Sequence, residues 1–200
     1  MIFITGGVVA FMASLTFIYG TIQIPTGYVG VIYSWGALQP NILEVGHNFE
    51  LRPWSRVEGV DILPQTDIID QIVCHSKDGM QIVFPKVIVH NQLHKENAYE
   101  MIKTYRANYD EYLVKQPIRQ KMIEMCTEKN LHHLYIEEFA DLNEILKEYL
   151  VDYQKEHKNL LVINRVSIEK PIIPEKVKRN YETIVEERTR LTAEEEIQKR

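Results

Sequence analysis

No aspartate, glutamate, lysine or arginine occurs before Glu44, and the first basic side chain is Arg52. An N-terminus without charge suits a solvent other than water. Within it, Ile2 to Ile18 reads IFITGGVVAFMASLTFI, with 12 of 17 residues drawn from Ala, Val, Ile, Leu, Met and Phe, and the uncharged apolar character extends to Ile24. About 20 such residues in a helix cross the hydrocarbon layer of a bilayer. A cleaved leader needs a basic start and a small-residue cleavage site, and neither MIFITGG nor MASLTF supplies them. The segment is therefore read as a retained transmembrane anchor over residues 1–24, with Tyr19 placed at a membrane interface. The lack of Lys or Arg just beyond it removes the positive charge that holds a following segment in the cytosol, so the body is expected on the lumenal side.

A basic surplus is also missing. Lys and Arg number 23 against 28 Asp and Glu, a formal net charge of -5, which argues against a nucleic-acid binder. There is no GxxxxGKS/T, GxGxxG, GxSxG or HExxH, the patterns that mark phosphate cradles, a nucleophile elbow or a zinc protease. His90 and His94 stand four apart in HNQLHKE, a spacing that could turn two imidazoles toward a metal on a helix, but they straddle an expected strand end and no third ligand is marked out. His132 and His133 are adjacent and pair no better. Cys74 and Cys126 are the only cysteines. Neither carries a catalytic signature, so they read as buried inert thiols or, in an oxidising lumen, as a disulfide that sequence spacing alone cannot establish. No catalytic, cofactor-binding or metal-binding residue is assigned.

What is present, after the anchor, is a series of short strands. GYVGVIYSWG is bounded by glycines, HNFEL, VEGVDIL and TDIIDQIVCHS follow, and KDG reads as a hairpin turn. In MQIVFPKVIVHNQL the alternation of Met80, Ile82 and Phe84 resets at Pro85 to Val87 and Val89, which implies an edge strand or a bulge. From Lys95 the period becomes helical, through Ala98, Met101, Ile102 and Tyr105, then Tyr112, Leu113, Ile118, Met122, Ile123 and Cys126, with Asp110 and Thr127 as expected caps. Leu142, Ile145, Leu146, Tyr149, Leu150 and Tyr153 form one face of a long amphipathic helix. LLVINRVSIEK returns to period two, with Val162, Asn164, Val166 and Ile168 expected on one face. Strands, helices, a late strand and a final helix describe an α+β body over residues 25–173, a mostly antiparallel sheet with helices on one side.

Residues 174–200 begin a second kind of element. Pro174 and Glu175 suit a helix start, and no Gly or Pro follows to end it. Val177, Tyr181, Ile184, Arg188 and Leu191 recur at spacings of four and three, a heptad seam on a helix whose Glu175 to Arg200 span holds seven acidic and seven basic residues. Such a seam on a charged helix points to packing against neighbouring copies.

Taken together, KPIIPEKVKRNYE, YEMIKTYRANYDEYL, LHHLYIEEFADLNEILKEYL, LQPNILEVGHNFELRPW through QTDIID, and GYVGVIYSWGAL make the chain similar to the SPFH superfamily of stomatin, prohibitin and flotillin, and within it to the erlins. The likeness covers Gly27 to Arg200. It implies a non-enzymatic membrane scaffold whose long helices line up side by side, closing many copies, or copies and a paralogue, into a ring or cage around a patch of membrane. For erlins it further implies cholesterol binding, residence in the endoplasmic reticulum membrane, and recruitment of a ubiquitin ligase to client membrane proteins for degradation. A prohibitin-like ring of the mitochondrial inner membrane that regulates a protease is the alternative, and a tethered thiol or metal enzyme using Cys74, Cys126, His90 or His94 is a third. One departure stands out: erlins carry a glycosylation sequon near TYRANYD, whereas Asn108 is followed by Tyr109 and Asp110 and no Asn-x-Ser/Thr occurs in the chain. Trp35 and Trp54, in YSWGALQP and LRPWS, suit either a membrane interface or a half-buried core position.

Overall fold

A computed structural model describes residues 21–50 and 54–198. Its elements are β1 (Thr21–Ile24), β2 (Tyr28–Ser34), β3 (Ala37–Leu43), β4 (Gly46–Phe49), β5 (Ser55–Asp61), β6 (Gln65–His75), β7 (Gln81–Leu93), α1 (Ala98–Tyr105), α2 (Gln116–Glu128), α3 (Leu142–Glu156), β8 (Leu161–Ile168) and α4 (Glu175–Gln198). Single π-helical turns precede α2 at Glu111–Lys115 and α3 at His133–Glu137. The class is α+β, with three small sheets where one was expected: β1–β4, β3–β2–β5 and β6–β7–β8. Residues 1–20 of the expected anchor, Tyr19 among them, lie outside the described residues. Thr21–Ile24, which the anchor reading included, are a strand paired antiparallel with Gly46–Phe49. Among the described residues no helix is long and apolar enough to cross a membrane.

The chain divides into two compact units. The first comprises residues up to 67, 89–117 and 147–165; the second comprises 68–88, 118–146 and 166–200. In the first, β2 pairs with β5 in unbroken register from Tyr28↔Asp61 to Ser34↔Ser55. Its pairing with β3 shifts between Val31 and Tyr33, and Pro40 is accommodated because β3 is an edge strand. A Cβ on Gly30 would stand 2.4 Å from Ile24 Cδ1 and 2.8 Å from Val57 Cγ1, so glycine is what lets β1 close over this sheet. The β3 strand has no signal in the sequence, since Gln39, Pro40 and Asn41 all read as turn.

Strand β7 has neighbours on both sides, so Pro85 is not at an edge. The phase reset there is real: Ile82 and Phe84 are buried, then Val87, Val89, Asn91 and Leu93. Strand β6 makes the same slip, with Asp67 and Ile69 buried before Asp70–Gln71 and Ile72 and Cys74 after, and Gln71 adopts φ 45°. Strand β8 corrects the strict alternation expected of it: Leu161 and Ile163 are buried, Asn164 and Arg165 are exposed, and Val166 and Ile168 are buried.

The second unit is organised around the hairpin that joins β6 to β7. Gly79, at φ 73°, donates its N–H to the Ser76 carbonyl at 2.8 Å, and Ser76 donates to Met80. This turn is tied to the residues after α2, Lys77 N–H to the Lys129 carbonyl at 2.9 Å and Leu131 N–H to Asp78 Oδ2 at 3.2 Å. Thr127 does not start a helix. It lies in the last turn of α2, with its hydroxyl bonded to the Glu124 carbonyl. Asp110 precedes the first π turn without a side-chain capping bond. The amphipathic reading of α3 holds in Leu142, Leu146 and Leu150, all at most 1% exposed. Tyr112 and Ile123, expected on buried faces, are instead 51% and 42% exposed.

Cys74 of β6 and Cys126 of α2, both buried, form a disulfide across a separation of 52 residues with Cα atoms 6.1 Å apart. Closing a loop of that size removes denatured-state entropy worth about 4 kcal/mol in the chain-entropy account. Cys126→Ala should therefore lower unfolding stability by about 2–4 kcal/mol, and reductant should lower the wild type by the same amount while leaving the variant unchanged in urea titrations.

Candidate functional site

Two exposed features stand apart from the packed core. The first is the β2–β3 hairpin. Ser34 pairs with Ala37, leaving Trp35 and Gly36 as a two-residue turn, at φ 52° and 81°. A turn with both central residues left-handed matches the twist of the strands and favours Asn-Gly. A bulky side chain there is uncommon and carries strain of order 1–3 kcal/mol. Trp35 nevertheless holds this position 80% exposed, its ring 6.2 Å from that of Trp54, itself 50% exposed. The Trp35 N–H donates to the Trp54 carbonyl at 3.0 Å, which fixes the two together. Phe49, also exposed, is the register partner of Thr21 and so sits where the chain emerges from its apolar N-terminal segment.

Beside the tryptophans lies an open groove of about 880 Å³ with apolar walls from Trp35, Trp54, Leu38 and Ile102 and flanks in which Arg56, Lys103 and Arg106 outnumber the one acid, Glu58. Both arginines are exposed, and neither forms an ion pair among the described residues. Arg106 adopts φ 57° and ψ -143° at the end of α1. Among the described residues five non-glycine residues have positive φ, and two of them, Trp35 and Arg106, line this one groove. Strain concentrated at an exposed aromatic and cationic surface is a signature of a contact site. The core reading of Trp35 is overturned, because a two-residue turn holds its indole away from the sheet.

The second feature is α4. Its first turn is secured by Val177 and Lys178 N–H groups donating to the Pro174 carbonyl at 2.9 and 3.0 Å. Of the predicted seam, Val177 and Tyr181 are half-buried against their own unit, while Ile184 and Leu191 are 44% and 55% exposed; the Arg188 side chain lies outside the described residues. Val185, absent from the predicted seam, is 51% exposed beside Ile184. The structure thus splits a stripe that the sequence presents as continuous.

The residues weighed for chemistry are placed otherwise. His90 lies in β7 and bonds Thr66 Oγ1 at 2.9 Å, whereas His94 follows the strand, so the two do not share a helical face. His133 Nε2 is 3.0 Å from Glu138, which also holds Lys129. His132 packs on Tyr181. The cysteines are bonded to each other and offer no thiolate. Among the described residues no group of three or more His, Cys, Asp or Glu is placed to hold a metal ion.

The SPFH domain / Band 7 family model matches residues 22–200, from within β1 through the whole of α4. The chain belongs to this family. Curated relatives include Erlin-1 of Danio rerio, 33% identical over 200 residues (97% of this chain, 58% of the relative). Erlin-2-A of Xenopus laevis is 32% identical over 181 residues (88% and 53%), and Erlin of Caenorhabditis elegans 29% over 177 (88% and 57%). The chain spans little more than half the length of these relatives.

Inside the first unit of this SPFH domain, sequence reasoning missed a buried polar cluster. Asn91, 1% exposed, donates its amide to Asp67 Oδ2 at 2.5 Å, and Tyr109 donates its hydroxyl to Gln65 at 3.2 Å. Asn91 Oδ1 and Asp110 Oδ1 are buried without a donor among the described residues. Burial, reinforced by the Asp67 charge, pushes the Asp110 carboxyl up to about 6, with Lys115 only partly opposing, and burial with the Asp110 charge pushes Tyr109 to about 12. Two aspartates in a mostly apolar strand and helix pattern gave the only available hint. A carboxyl whose folded pKa is raised favours folding when protonated, so its contribution is complete below about pH 4 and is lost as pH rises through about 6. Asp110→Asn should raise the melting temperature at pH 7.5 and flatten the fall in stability between about pH 4 and 6; an unchanged pH slope in that window would show that the carboxyl titrates normally.

Proposed function

We propose that the chain is the membrane-proximal part of a non-enzymatic scaffold in which α4 packs against the same helix of other copies or of a close paralogue. The observation that carries this reading is the fate of α4: a 24-residue helix on which, among the described side chains, only Val177 and Tyr181 are even half-buried, with Ile184, Val185 and Leu191 left in water. Its ion pairs, Arg179–Glu175 and Arg190–Glu194 at 3.5 Å and Lys178–Glu182 at 4.0 Å, are exposed and contribute a few tenths of a kcal/mol each. Helices of this kind gain stability from packing rather than from themselves.

The membrane assignment is supported by the apolar Ile2 to Ile18 segment and by Trp35, Phe49 and Trp54 beside its entry into β1. In this reading the indoles lie at the headgroup level and Arg56 and Arg106 face lipid phosphates. The Cys74–Cys126 bond supports a body in an oxidising compartment. The resemblance to erlins extends the proposal to a ring or cage in the endoplasmic reticulum membrane with a lumenal body, to cholesterol among its lipids, and to a ubiquitin ligase and client membrane proteins among its partners.

Extracted in mild detergent, the full-length protein should migrate as a particle of many copies, and Ile184→Ser with Leu191→Ser should reduce it to one or a few without shifting the melting of the domain. Single copies of the wild type would end the assembly reading. Trp35 and Trp54 are the only tryptophans of the chain, so intrinsic fluorescence reports the hairpin tip alone. In vesicles whose acyl chains carry bromine, emission should be blue-shifted and quenched; an unquenched spectrum identical to that in detergent-free buffer would place the tip away from lipid.

A further inference from the structure

Tyr181 stands on the heptad seam in the sequence, yet the structure turns it onto its own unit. Its ring stacks on His132 at 5.5 Å with 28° between planes and on Tyr135 at 6.2 Å with 27°, and Lys170 Nζ lies 5.0 Å from the Tyr135 ring centre. Burial raises the Tyr181 hydroxyl above its ordinary range, with the Asp78 charge adding to the effect. Val177, one turn earlier, is half-buried on the same side. The segment leading into α4 is equally fixed. Glu169 N–H donates to the Lys86 carbonyl at 3.0 Å, Val83 and Ile172 exchange backbone hydrogen bonds at 3.0 and 2.7 Å, and Pro171 and Ile173 are buried.

Hydrogen bonds therefore locate the start of α4, but those before the helix end at Ile172, and Pro174 has no N–H with which to add another. Direction is what the ring contacts supply. At 1.5 Å per residue α4 extends about 36 Å, so a tilt of about 10° at its base moves its far end by about 6 Å, more than one helical turn. A seam between copies cannot keep one register, nor a head-to-tail assembly close, unless that angle is held.

We propose that His132, Tyr135 and Tyr181 form an aromatic clamp that sets the direction of α4, and that the seam between copies begins at Ile184 rather than at Val177. This inference rests on the assembly reading for its consequence, but the clamp can be tested without it. Spin labels at Glu124→Cys in α2 and Glu194→Cys in α4, in full-length protein diluted with unlabelled copies, report the angle within one copy. The wild type and Tyr181→Phe, which keeps the ring, should give one narrow distance distribution and Tyr181→Ala a broad one. Equal widths in all three would overturn the clamp.

Particle mass separates the two seam positions. Tyr181→Ala should keep multi-copy particles while spreading their mass over several copy numbers. If instead it falls to single copies as completely as Ile184→Ser with Leu191→Ser, Tyr181 belongs to the seam and the proposal fails. Wild-type single copies that retain the narrow distance would reject the assembly reading and leave the clamp standing.

Discussion

The pair of backbone hydrogen bonds between Val83 and Ile172 is the constraint on which the later part of the chain depends. Strand β7 is the one strand of its sheet with partners on both sides, so β6 and β8 are each located from it. The connection after β8 returns to the same strand, first through Glu169 to Lys86 and then through Ile172 to Val83. Pro85 lies between these contacts, where its missing N–H coincides with the change of inward face. A proline that looks like an edge marker in the sequence stands instead in a strand with neighbours on both sides, at the point where the inward face changes. Without this double return, Pro171 and Pro174 would give a free joint, and α4 would have no fixed origin.

The sequence exposes this arrangement unevenly, and the reason lies in what periodicity measures. Where an element buries one continuous face, as α3 does with Leu142, Leu146 and Leu150, the apolar spacing finds the buried positions, while Ile145, Tyr149 and Tyr153 at the margin of the same stripe are half-buried. Where a strand changes parity, only an accompanying marker reveals it. Pro85 announces the slip in β7, whereas the slips at Asp70–Gln71 in β6 and Asn164–Arg165 in β8 have none, and strict alternation then assigns half the strand to the wrong face. Short pairings of polar residues, such as Gln39 and Asn41 in β3, are held by a neighbouring strand and leave no pattern of their own. The Cys74–Cys126 bond and the burial of Asp110 and Asn91 depend on distances between elements, which spacing along one chain does not encode.

The seam of α4 shows the same limit at the functional surface. Heptad spacing identifies Val177, Tyr181, Ile184 and Leu191 as one stripe, and it cannot say that two partners of different kinds share it. An aromatic residue at a seam position is the available clue. Tyr181 carries a ring large enough to stack on two others, which suits the boundary between a packed foot and an exposed seam. Ile184 and Leu191 are aliphatic, and their cost in water is about 25 cal/mol for each Å² left uncovered. The helix is thus stable at its base and incomplete beyond it.

The hairpin tip follows a complementary logic, in which rigidity is supplied by the sheet and exposure is imposed on the tip. Seven consecutive register pairs between β2 and β5, with Gly30 admitting Ile24 against them, determine where Ser34 ends and so force the turn at Trp35 and Gly36. The sheet can therefore carry a left-handed Trp35 that an isolated turn would reject. An indole 80% exposed returns little to its own core, so what holds it within the chain is its ring contact and backbone bond to Trp54. Arg106, left-handed on the same groove and without an ion-pair partner among the described residues, repeats the pattern with a cation. In the membrane reading proposed above, ring and charge would gain their remaining favourable energy from lipid. A surface that is apolar at its tip and cationic at its flank matches the order in which hydrocarbon and phosphate are met on entering a bilayer.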